Sequence, residues 1–123
     1  MKTTWGTLKL CLVGVVVAVG IGSAEARLIL GHGLTLCGAW TQARITNAPQ
    51  RLSMEHWVAG YLSNFNTLND ENPNIPDLLK GQEWDGLMAW IDTYCAAHPL
   101  DKVDRAARTL ELELLRQHLV APQ

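Results

Sequence analysis

The chain has 123 residues, 48% of them hydrophobic, with a formal charge of −2 and a mean hydropathy of +0.03. It is too apolar for a disordered chain and too weakly charged for a nucleic-acid binder, and its length holds one domain.

The apolar residues are unevenly spread. Lys2 and Lys9 precede an uncharged run, Leu10 to Gly22, and Ala24 and Ala26 then form a small-x-small site. That order is the order of a secretory signal peptide over 1–26. A membrane anchor is the rival reading, but the run would rise only about 20 Å as a helix, short of a hydrocarbon core of roughly 30 Å. Cys11 stands at the start of the run, not at its end, which does not suit lipidation. Loss of the leader removes Lys2, Lys9 and Glu25. It leaves a small helical domain over 27–123, with eight bases and eleven acids and a net charge of −3. The expected compartment is periplasmic or secreted, with no membrane anchor after cleavage.

Residues 27–33 read as an irregular lead-in. Residues 34–46 suit a short helix carrying Cys37 and Trp40 at i, i+3, broken by Asn47-Ala48-Pro49. Ser53 then suits an N-cap, with Glu55 in the first turn where it meets the helix dipole. Met54, Trp57, Val58, Tyr61, Leu62, Phe65 and Leu68 follow at spacings of three and four, one broad apolar stripe. Gly60 inside that helix points to a close neighbour. Residues 69–76 form a polar loop, and Asp77 to Gly81 suit one helical turn closed by glycine.

Trp84, Leu87, Met88, Ile91, Tyr94 and Cys95 mark the face of a third helix that stops before Pro99. Asp101 is placed to cap a fourth, whose stripe is Val103, Ala106, Ala107, Leu110 and Leu114. The expected fold is all-α: a small four-helix, disulfide-stapled single domain. Cys37 and Cys95 are the two cysteines left after cleavage, and an even pair in a small exported chain reads as one disulfide. Closing that loop would stabilise the fold by about 4 kcal/mol. Two separate buried thiols are the other arrangement.

Chemistry is sparse. His32, His56, His98 and His118 fall at no metal-ligand spacing, and no nucleophile elbow, phosphate loop or cofactor motif is present. No catalytic, metal or cofactor residue is assigned. A Cys95–His98 dyad would require a free thiol. Asp92 is read as exposed, with a buried carboxylate as the functional alternative. Trp90 falls off the main face of its helix, so Trp90 and Asp92 are the candidate partner contacts. The rival reading for Trp90 is cover by a flanking segment.

Cys37-Gly38-Ala39-Trp40, Trp57 to Ser63, and Trp90 to Cys95 followed by Ala96-Ala97-His98-Pro99-Leu100 resemble a group of small exported proteobacterial proteins. That group is similar to the HdeA-like acid-stress chaperones and to the disulfide-bonded immunity proteins of type VI secretion. The chain differs from the chaperones in the length between its cysteines and in lacking their lysine-rich tail. The resemblance implies a non-enzymatic protein that acts by binding protein, either unfolded clients in acid or, as the alternative, a specific partner or toxin. A homodimer is compatible with it. No nucleic acid is expected.

Overall fold

Cys37 is the first residue of helix α1 (Cys37–Thr46), and Asn47 ends that helix in the left-handed conformation, φ 52°. This is the break expected at Asn47-Ala48-Pro49, made by a residue type that tolerates that conformation. The computed structural model describes residues 28–120; the leader assigned to 1–26, and Cys11 within it, lie outside the described residues. The remaining helices are α2 (Arg51–Asn69), α3 (Trp84–Ala97) and α4 (Val103–Val120). The lead-in is more ordered than expected, with a 3₁₀ turn over Gly31–Leu34. There is no strand among the described residues, only an isolated antiparallel bridge between Leu36 and Lys102. No helix among them is long and apolar enough to cross a membrane.

The stripes read from the sequence pack together. Trp40, Val58, Leu62, Met88, Ile91 and the α4 set Val103, Ala106, Ala107, Leu110 and Leu114 form the buried core. The Cys37–Cys95 disulfide is formed, with both residues fully buried, and it ties the start of α1 to the end of α3. Leu68 and Trp84 are departures: Leu68 lies near the end of α2 and Trp84 at the start of α3, and both are exposed.

Four local expectations are corrected. Ser53 does not cap α2. The helix begins two residues earlier at Arg51, and the Ser53 hydroxyl donates back to the Gln50 carbonyl at 2.8 Å. Asp101 does not cap α4. Its carboxylate accepts the Tyr94 hydroxyl at 2.7 Å, while the Val103 N–H donates to the Thr35 carbonyl at 2.9 Å. The bridged lead-in therefore supplies an acceptor that a capping side chain would otherwise provide. Asp77 to Gly81 is a turn without a helix. Asp77 Oδ1 accepts from the Leu79 N–H and the Asn66 side chain, a local alternative to helical bonding. Gly60 faces open space, so no close neighbour explains it.

The lead-in clamps onto Trp57. The indole N–H donates to the Leu30 carbonyl at 2.8 Å, and His32 Nε2 lies 3.0 Å from the Ser53 hydroxyl. Gly31 has φ +74°, and a Cβ on Gly33 would fall 2.3 Å from Trp57 Cζ2. Only glycine permits that approach. Gly33→Ala is expected to lower stability by about 1–3 kcal/mol through overpacking. The loss should shrink in a Trp57→Leu background. Thermal melts of the four proteins check this; strictly additive losses would mean that the clash is not with Trp57.

Candidate functional site

A polar cluster lies where α1, α2 and α3 meet. Each of its charged members sits on or beside the apolar stripe of its own helix, so packing the stripes brings the charges together. Arg44 of α1 stands at the centre. Its Nε and Nη2 donate to Asp92 of α3 at 2.9 and 2.7 Å, a two-pronged contact, and its Nη1 donates to Glu55 of α2. Trp40 Nε1 donates to the same Asp92 carboxylate at 2.7 Å. Arg51 approaches Glu55 at 3.3 Å from one helical turn earlier.

Burial is graded across the cluster. The Glu55 side chain is 2% exposed, Arg44 24% and Asp92 35%. Glu55 is thus a carboxylate inside the core, held by two guanidinium groups. Such a charge is tolerable only when paired and hydrogen-bonded. The Asp92 hydrogen bond, with Glu55 after it, raises the Arg44 pKa above the ordinary arginine value and outweighs the opposing effect of burial. Arg44 therefore stays cationic throughout the range in which carboxylates titrate.

The cluster opens on one side to a cavity of about 460 Å³, lined by Thr41, Arg44, Ile45, Arg51, Asp92 and Ala96. Thr41 Oγ1 and Arg51 Nε beside it are shielded and have no hydrogen-bond partner in the protein. A shielded polar group without a partner costs about 1–3 kcal/mol. The cluster therefore joins three helices through strong contacts, with little margin if one charge is lost.

The two candidate contact residues separate. Asp92 is neither freely exposed nor deeply buried, and its carboxylate is committed to Trp40 and Arg44. Trp90 is half-buried against the core and stacks on Tyr94 at 5.7 Å between ring centroids. Two residues apart on a helix, they point to different sides of α3. Tyr94 continues the ladder to His98 at 4.6 Å. Burial first, and the Asp101 carboxylate second, push the Tyr94 phenol above its ordinary pKa, so it serves as a neutral donor. Cys95 lies in the disulfide, which removes the thiol that a Cys95–His98 dyad needs.

Sequence reasoning passed over Arg44 and placed Glu55 on the helix dipole. The signal for Glu55 was present: Glu55, Val58 and Leu62 fall at i, i+3 and i+7, the spacing of a buried face. No family model matches the chain, and no curated protein or solved structure is significantly similar to it.

Proposed function

We propose that this is an exported, non-enzymatic protein that acts by binding other proteins, with a fold that acid loosens, in the manner of HdeA-like acid-stress chaperones. The observation that carries the reading is the Glu55–Arg44–Asp92 contact across three helices. A group whose pKa is raised on folding contributes stability that is fully present below its unfolded value, so Arg44 loses nothing as pH falls. The Arg44 guanidinium is well compensated only while Glu55 and Asp92 both carry charge. With eleven acids to eight bases over 27–123, the net charge also turns strongly positive, which favours expansion. Loosening exposes the apolar faces around Trp40, Leu62 and Met88 to clients.

The surface pair on α4 behaves differently. Arg116, and after it Gln117, holds the exposed Glu113 carboxyl down to about 2, so this pair persists until the strongest acid.

The test is client aggregation at about pH 2–3, with purified protein lacking residues 1–26, alongside tryptophan fluorescence of the protein alone. Suppression of aggregation in the pH range where the tryptophan signal changes is expected. Absence of protection at stoichiometric excess rejects the reading.

A further inference from the structure

A second feature lies on the opposite side of α4 from its core stripe. The loop over 99–102 and the outer face of α4 enclose an open groove of about 500 Å³. Leu100 and Leu112 line it and are 84% and 62% exposed. Lys102, Arg105 and Arg108 line the stretch between these two leucines in the sequence.

The charges in the groove are not balanced at its surface. Arg105 and Arg108 are 72% and 59% exposed and pair with Asp101 and Asp104 at 3.6 Å. Those acids are recessed: the Asp104 side chain is 14% exposed, and Asp101, at 32%, is turned inward to the Tyr94 hydroxyl. A visiting molecule therefore meets the cations first. The N-terminal end of α4 adds positive potential at the same place. Elsewhere the chain is acidic: Asp70, Glu71, Asp77, Glu83 and Asp85 share residues 70–85 with Lys80 alone.

We infer that this groove docks an acidic, amphipathic segment of a partner protein, whose carboxylates face Arg105 and Arg108 and whose apolar side chains rest on Leu100 and Leu112. Charge complementarity selects the partner's sign. The two leucines select against a bare polyanion, which would leave them uncovered. A second copy is the weaker occupant. Its acidic stretch, residues 70–85, is made of turns up to Trp84 and buries Leu78, so it presents no continuous apolar helix face to the two leucines. The inference concerns the native fold at neutral pH and does not depend on acid loosening.

The test uses a fluorescein-labelled helical peptide of glutamate and leucine, with leucines on one face, and an all-glutamate peptide of equal length. Anisotropy is read at neutral pH against the full chain. The Glu/Leu peptide is expected to bind and to weaken with salt. Binding should fall by about tenfold or more in Arg105→Glu/Arg108→Glu, and measurably in Leu112→Asn. All these side chains are exposed, and circular dichroism checks that the variants keep the fold. No binding, equal binding by the variants, or equal binding of the all-glutamate peptide overturns the inference. Sedimentation showing self-association that the charge reversal abolishes also overturns it, in favour of a second copy. None of these failures touches the acid-aggregation test.

Discussion

Replacing Cys37 and Cys95 together by alanine is expected to lower the unfolding free energy by about 4 kcal/mol, from the loop-closure entropy of a separation of 58 residues. For a domain of this size that corresponds to a fall in Tm of roughly 15–30 °C. Apart from the contacts of Trp40 and Arg44 with Asp92 and Glu55, the first helix has few other ties. The Cys37 N–H donates to the Asp101 carbonyl at 2.8 Å, and the Gly38 N–H to the Pro99 carbonyl at 2.9 Å. Trp40 is the one large side chain that α1 buries completely. Without the bond, the lead-in and α1 should lose hydrogen-exchange protection before α2 and α4 do. Both cysteines are fully buried, so a mild reductant should act on the folded protein only as fast as it opens. Urea titrations of the oxidised protein and the double alanine variant measure the difference. A loss below about 1 kcal/mol would show that the unfolded chain is not freed by removing the link.

The disulfide and the stripes were legible in the sequence because each rests on a simple regularity. Val103, Ala106, Ala107, Leu110 and Leu114 repeat at helical spacing, and all five are buried. Helix ends were less legible. Ser53 and Asp101 have the right chemistry for caps, yet the α4 end takes the Thr35 carbonyl from a segment 68 residues earlier in the chain. No local pattern reports a partner that arrives from elsewhere. The charged cluster failed to emerge for a different reason. Periodicity analysis treats apolar residues as the core and charged ones as its edge, while Arg44, Glu55 and Asp92 occupy the positions that apolar side chains would. Arg44 lies four residues after Trp40, and Asp92 four after Met88. A charge at such a register position, with an opposite charge at the matching position of another helix, is the pattern that points to a buried pair. The groove on α4 was not legible either, since it depends on which acids are recessed beneath which cations.

Arg44→Ala is expected to destabilise the fold by about 3–5 kcal/mol at neutral pH, because it leaves Glu55 inside the core with Arg51 as its remaining cation, at 3.3 Å. Asp92 loses its two-pronged partner as well but keeps the Trp40 bond and is open enough to take up water. Replacing both ends of the inner pair, Arg44→Met with Glu55→Met, should cost much less than the single change, since no isolated charge remains in the core. Glu55→Gln separates charge from shape: it keeps an acceptor for Arg44 and removes the negative charge, as acid would. Its stability should be lower than that of the natural chain at neutral pH, because Arg44 keeps an acceptor but loses the opposing charge. Urea titrations of the four proteins at neutral pH and at about pH 3 read all of this at once. If Arg44→Ala lies within about 1 kcal/mol of the natural chain, the cluster does not hold the three helices together, and the acid-release reading loses the observation it stands on. If the Met pair remains as acid-sensitive as the natural chain, the sensitivity belongs to net charge rather than to this contact.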